Sequence, residues 1–73
     1  MSNKHKTVIL YAYMLLRAGN IEKSERILSE LLEKDIDKDT EMLAKSNLAL
    51  IIWKKGNLDG AIDMLQEVHE NFK

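Results

Sequence analysis

Histidine and serine are the first side chains to consider for catalysis or metal binding in this sequence. His5 and His69 each lack a second metal ligand at a spacing that a helix or turn would bring near. The hydroxyl groups of Ser24, Ser29 and Ser46 have no histidine or acidic partner that helical spacing places beside them, so they lack a general base. We therefore expect no enzymatic activity, no bound metal and no cofactor.

The glycines mark turns and not a phosphate-binding loop. Gly19 lies two residues after a basic residue and is followed by Asn20 and then by an aliphatic residue. The same pattern recurs at Gly56-Asn57, after 56 − 19 = 37 residues. Glycine can adopt the left-handed backbone conformation that ends a helix, and asparagine can accept from the free N–H groups that open the next one. Helical periodicity flanks both Gly-Asn pairs. The sequence thus predicts a helix-turn-helix hairpin that is used twice.

The hydrophobic pattern predicts an all-α fold, with Asp37 or Asp39 as the cap of the third helix. The first and third helices contain segments that are apolar on all sides, 8–16 and 48–53, and so must be covered by neighbours on two sides. The second and fourth helices are apolar along one stripe. This alternation is typical of stacked hairpins. The four helices are expected near residues 3–18, 20–34, 38–55 and 57–72.

Composition excludes several classes of partner. A chain of 73 residues is at most one small domain, and its net charge of −1 is unlike the basic surface of a nucleic-acid-binding protein. The apolar run 8–16 is too short to span a bilayer, so no membrane insertion by this segment is expected. There is no cysteine, which is consistent with a reducing compartment, and a cytoplasmic location is the expectation.

The residues around the two turns resemble the tetratricopeptide repeat (TPR) family. The family's early tryptophan, late alanine and closing proline are absent, and the spacing of 37 residues exceeds the usual period of about 34. The resemblance implies one TPR-like domain over 1–73, with repeats at about 3–36 and 38–73, stacked as a right-handed α-α superhelix. The matching positions are Tyr11, Ala12, Leu15, Gly19, Asn20, Ile21, Ser24 and Leu28 in the first copy and Leu48, Ala49, Ile52, Gly56, Asn57, Leu58, Ala61 and Leu65 in the second.

The family resemblance also implies a binding surface. The first helix of each TPR repeat lines a concave groove that receives an extended peptide or a partner helix, which makes this chain a protein-interaction module, expected to be an excerpt of a longer repeat protein. An apolar floor with a basic rim would suit an apolar peptide that carries acidic groups. Of the two-carboxylate clamp found in some members, only Asn47 has a matching position. The groove residues implied are Lys6, Ile9, Tyr13, Leu16 and Arg17 from the first helix and Leu43, Asn47, Leu50, Trp53 and Lys54 from the third.

Self-association is the alternative function. Two repeats leave one face of the first helix and one face of the last helix without a neighbour, and repeat arrays normally carry polar caps at both ends. A small structural protein that forms a homodimer would cover these faces, and a closed isologous pair is expected in preference to an end-to-end fibre. For Tyr13 and Trp53, simple core packing remains open beside groove exposure. The residues expected at the self-association surface are Leu10, Met14, Ile62, Leu65, Val68 and Phe72.

Overall fold

The computed structural model describes residues 3–71, and this part of the chain is all-helical. The predicted all-α class and the number of helices are confirmed, and each boundary lies within one or two residues of the expected one. The elements are α1 (Asn3–Arg17), α2 (Ile21–Leu32), α3 (Lys38–Lys54) and α4 (Leu58–Asn71).

Helix α3 is central to the packing. It contacts α1, α2 and α4, whereas α4 contacts only α3 among the helices of the described segment. This arrangement explains why α3 is apolar on more than one side, because it meets neighbours on two sides. On its remaining surface Leu43, Leu50 and Trp53 are nevertheless exposed. The buried core joins three helices and consists of Ile9, Ala12, Leu16, Leu28, Leu31, Ala44 and Ile51.

Both Gly-Asn turns have the same backbone geometry. Gly19 and Gly56 adopt φ values of +92° and +94°, so the predicted left-handed conformation is confirmed at each. The N–H of Gly19 donates to the carbonyl of Leu16 at 3.1 Å, and the N–H of Asn20 donates to the carbonyl of Leu15 at 2.8 Å. The turn at Gly56 repeats both bonds one repeat later. These paired bonds are the Schellman motif, which satisfies carbonyls that a helix end would leave free.

Replacing Gly56 separates backbone strain from steric crowding. A Cβ built on Gly56 would meet no atom within 4 Å, so any cost of a side chain comes from its φ of +94° alone. We expect Gly56→Ala to lower the free energy of unfolding by about 1 kcal/mol. D-alanine, introduced by chemical synthesis, favours positive φ and should leave stability unchanged or raise it. Urea unfolding followed by circular dichroism measures both, and exposed Glu33→Ala serves as the neutral control. Equal losses for the two alanine enantiomers would contradict the turn geometry.

The two asparagines differ although their turns agree. The N–H of Gly60 donates to Asn57 Oδ1 at 2.9 Å, which confirms the predicted cap at the start of α4. The prediction is wrong for Asn20, whose side chain makes no capping hydrogen bond. The backbone of Asn20 differs from that of a working cap, since it has φ −88° and ψ 70°, whereas Asp37 caps α3 from an extended backbone with φ −72° and ψ 166°.

The third helix begins at the predicted acidic cap. The N–H of Thr40 donates to Asp37 Oδ1 at 2.8 Å. The hydroxyl and the backbone N–H of Thr40 together lower the pKa of the Asp37 carboxyl from 3.8 to about 2, since both interactions favour the ionised form. The start of α3 is therefore held by a charged cap at neutral pH.

A buried hydroxyl lies where α1 and α2 cross. Ser24 Oγ donates to the carbonyl oxygen of Ala12 at 2.6 Å, and both residues are fully buried. Only small side chains allow two helix backbones to approach this closely. In the second hairpin the corresponding crossing is made by Ala49 and Ala61, which are also buried.

Ion pairs link the helices at the surface. Lys55 Nζ lies 2.8 Å from Glu25 Oε1 and joins the end of α3 to α2. Lys45 pairs with Glu67 on α4 and with Glu41 one turn earlier on its own helix, and these hydrogen bonds raise the pKa of Lys45. Exposed pairs of this kind contribute less than about 1 kcal/mol each, so they orient the helices more than they stabilise them.

Candidate functional site

The surface between α1 and α3 is concave and combines apolar and basic side chains. We call it the α1/α3 groove; its volume is about 330 Å³, and the residues that line it are Tyr13, Leu16, Arg17, Leu50, Trp53 and Lys54. Helical spacing explains the set, because residues three or four apart share a face. In α1 the set is spaced 13, 16 and 17, and in α3 it is spaced 50, 53 and 54. The groove is therefore built from equivalent positions of the two hairpins.

Trp53 is the largest accessible side chain of this groove. It is 52 % exposed, and Lys54 Nζ lies 5.7 Å from the centroid of its ring. On the facing helix, Arg17 Nη1 donates to the Tyr13 hydroxyl at 3.2 Å, and Arg17 Cζ lies 6.0 Å from the Tyr13 ring centroid. Each side of the groove thus pairs an aromatic ring with a cation. Such pairs offer apolar area and positive charge in one place.

The structure places the other expected groove residues elsewhere. Lys6 is exposed, Leu43 is 42 % exposed and Asn47 is half-buried, but none of these lines the α1/α3 groove. Ile9 differs most from expectation, because it is only 7 % exposed and belongs to the core. It shares the inward face of α1 with Ala12, three residues on, so its side chain is not available to a ligand.

The residues expected to mediate self-association fall into two groups. Leu10 and Met14 on α1 are 60 % and 57 % exposed, and Ile62 and Leu65 on α4 are each 46 % exposed. Val68 is 8 % exposed and therefore is not part of an open surface. It lies two turns beyond buried Ala61, on the face of α4 that packs against α3. Phe72 lies outside the described residues.

A second concave surface lies between α3 and α4. We call it the α3/α4 groove; its volume is about 200 Å³, and every residue that lines it is apolar. The apolar stripe on α4 was expected from the sequence, but its continuity with Leu50 and Trp53, which line both grooves, was not. The offset of 37 residues between the two hairpins is the signal in the sequence that could have identified this groove. The lining consists of Ala49, Leu50, Trp53, Leu58, Ala61, Ile62 and Leu65.

The polar side chains with possible chemistry are dispersed or have structural partners. His5 is half-buried on α1 and His69 is exposed on α4. Within residues 3–71 no group of three or more histidine or acidic side chains is arranged to hold a metal ion. Ser46 Oγ donates to the Met42 carbonyl at 2.9 Å within α3, just as Ser24 donates to a carbonyl of α1. Neither hydroxyl is poised beside a base, so both act on the backbone.

No family model, curated protein or solved structure matches this chain. In the part of the chain that the structure describes, no helix combines the length and the apolar character needed to cross a bilayer.

Proposed function

We propose that this chain is a protein-interaction module of TPR type that binds an extended, mainly apolar peptide carrying acidic groups in the α1/α3 groove. The observation that carries the proposal is the pairing of aromatic rings with cations on both walls. Tyr13 with Arg17 faces Trp53 with Lys54 across one concave surface. Tryptophan, tyrosine and arginine are the residues that most often dominate binding energy at protein interfaces.

The repeat geometry supports the TPR-type architecture. Two identical Schellman turns end α1 and α3, and α3 packs against both helices of the first hairpin. Small residues meet at the crossing in each hairpin, Ala12 with Ser24 and Ala49 with Ala61. A right-handed superhelical stack of two repeats, as part of a longer repeat array, is the arrangement we propose on this basis.

Each groove element has a distinct expected role. The exposed face of Trp53 and the side chain of Leu50 would cover apolar side chains of the peptide, while Arg17 and Lys54 would pair with its acidic groups. Electrostatic pairing at an exposed rim contributes little affinity, but it orients the ligand and excludes basic sequences. Affinity should therefore depend mainly on Trp53 and specificity on the two cations.

Selection from a displayed library of random peptides tests this proposal. We expect the enriched peptides to combine aliphatic or aromatic residues with aspartate or glutamate. Fluorescence anisotropy of one enriched peptide, labelled with a dye, then gives Kd for variants of the chain. We expect Trp53→Ala to raise Kd by about thirtyfold, the effect of removing a central aromatic anchor. Arg17→Ala and Lys54→Ala should each raise Kd about two- to fivefold.

Lys34→Ala is the matched control, because Lys34 is an exposed cation near the end of α2 and does not line the α1/α3 groove. The Lys34→Ala variant should bind the enriched peptide with the same Kd as the unchanged chain. Enriched peptides without acidic residues, or a Kd that responds equally to Lys34→Ala and Lys54→Ala, would contradict the proposed site.

Self-association is the second candidate function. It is favoured by the exposure of large apolar side chains at both ends of the described structure, Leu10 and Met14 on α1 and Ile62 and Leu65 on α4. A structural homo-oligomer would cover these side chains without any separate ligand. The two surfaces are adjacent and not separate, since Leu50 and Trp53 line both the α1/α3 groove and the α3/α4 groove that contains Ile62 and Leu65.

A further inference from the structure

The internal repeat shows what kind of element fits the α3/α4 groove. Subtracting 37 from its seven lining residues gives positions 12, 13, 16, 21, 24, 25 and 28 in the first hairpin. None of these seven counterparts is exposed, and α3 packs against both helices that carry them. In the α3/α4 groove itself, five of the seven residues are exposed. The first hairpin thus holds a helix in a groove that the second hairpin leaves empty within the described structure.

The same offset identifies a matching helix face within the chain. Helix α3 enters the core of the first hairpin with Ala44, Leu48 and Ile51. Subtracting 37 places their counterparts on α1 at Thr7, Tyr11 and Met14, and all three are exposed. Tyr11 is 48 % exposed and Met14 57 % exposed, so α1 presents an uncovered apolar stripe where α3 presents a buried one. The chain therefore carries both halves of a second helix-in-groove contact.

One internal ion pair also has a complementary counterpart. Lys55, directly after α3, pairs with Glu25 of α2, and the corresponding residues are Ala18, directly after α1, and Ile62 on α4. A pair of opposite charges is thus replaced by a pair of apolar residues, and in both cases the two members of the pair are suited to contact each other. A mismatched replacement, with a charge on one side only, would have opposed docking.

The net charges of the two helices are also opposite. Helix α1 contains Lys4, Lys6 and Arg17 and no acidic residue. Helix α4 contains no lysine or arginine, and its acidic residues are Asp59, Asp63, Glu67 and Glu70. In a head-to-tail arrangement the basic helix would meet the acidic one, which favours encounter in that orientation.

We propose that the α3/α4 groove binds helix α1 of a second copy of this chain, head to tail, in the register in which α3 lies on the first hairpin. The contact is heterologous, so it leaves an open groove on one copy and an open α1 on the other, and it extends or closes into a ring. It thus differs from the closed isologous pair that the sequence favoured. It does not depend on peptide binding in the α1/α3 groove.

Sedimentation equilibrium of two complementary variants tests this junction. Met14→Glu removes the α1 face and keeps the groove, whereas Ile62→Glu removes the groove and keeps the α1 face. Both sites are exposed, so circular dichroism should show unchanged helix content. The unchanged chain should associate between about 10 μM and 1 mM, and each variant alone should raise Kd at least about tenfold because a charge would be buried. An equimolar mixture of the two should form a complex of two chains and grow no further.

The control for charge insertion is Leu43→Glu, which changes a similarly exposed aliphatic residue outside both surfaces and should associate like the unchanged chain. Register is tested by combining Ala18→Lys with Ile62→Glu, which rebuilds the Lys55–Glu25 pair across the junction and should restore association. A monomer mass for the unchanged chain at all concentrations overturns the proposal, because the α3/α4 groove would then not bind a second copy. Dimerisation of Met14→Glu alone overturns it in favour of isologous pairing.

Discussion

Leu28→Ala is expected to remove most of the free energy of unfolding at room temperature. Leu28 is fully buried in the core that joins α1, α2 and α3. Removing such a side chain costs about 2–5 kcal/mol, from lost burial and from the cavity that remains. A single core of this size supplies only about 3–5 kcal/mol of net stability without disulfides or metals. The urea concentration at the midpoint of unfolding, followed by circular dichroism, should therefore fall sharply.

Leu65→Ala is the matched control, because Leu65 is the same residue at the corresponding position of α4 and is 46 % exposed. Its free energy of unfolding should fall by less than about 1 kcal/mol at chain concentrations too low for association. The comparison holds residue type and helical position constant and varies only burial. Equal destabilisation by the two changes would mean that the core is not where the structure places it.

Ser24→Val should destabilise the protein by about 2–4 kcal/mol. The hydroxyl of Ser24 donates to the Ala12 carbonyl at 2.6 Å, and the residue has no exposed surface. Valine loses this hydrogen bond, worth about 1 kcal/mol, and adds volume between two helix backbones, which costs about 1–3 kcal/mol more. Thermal and urea unfolding measure the sum.

Two further variants divide that effect. Ser24→Ala removes the hydrogen bond without adding volume and should cost only about 0.5–1.5 kcal/mol. Ser29→Val makes the same chemical change at an exposed position of the same helix and should cost a few tenths of a kcal/mol through helix propensity. If Ser24→Ala and Ser24→Val were equally destabilising, close packing at the helix crossing would not be the cause.

The helices and turns were predictable because their causes are local. A glycine followed by asparagine at the end of a periodic segment specifies a Schellman turn through a few neighbouring residues, and both turns formed as expected. Asp37 was one of two candidate caps for α3, beside Asp39, and it accepts the N–H of Thr40 three residues later. The failed cap at Asn20 shows the limit, because the repeat pattern does not specify the backbone angles of the capping residue, and Asn20 lies outside the extended conformation that Asp37 adopts.

The site residues were less predictable because their exposure depends on contacts between helices. Trp53 and Ile9 are both apolar residues of sandwiched helices, yet one is 52 % exposed and the other 7 % exposed. No local pattern distinguishes them. The difference arises because Ile9 faces the core between hairpins, whereas Trp53 lies where α3 borders two grooves. Composition and periodicity indicate which helices need neighbours but not which turn of a helix each neighbour covers.

The attachment of α4 through α3 alone has a consequence for cooperativity. Among the described helices α4 has no other neighbour, whereas α3 is held by three. Detachment of α4 therefore breaks one interface and leaves the core cluster, to which α4 contributes no buried residue, in place. Opening of this kind should require less free energy than global unfolding, so we expect amide hydrogens in α4 to exchange with solvent through a partly open state and those at the centre of α3 through complete unfolding. The chain is thus graded in stability along its length, with its most labile unit at the α4 end.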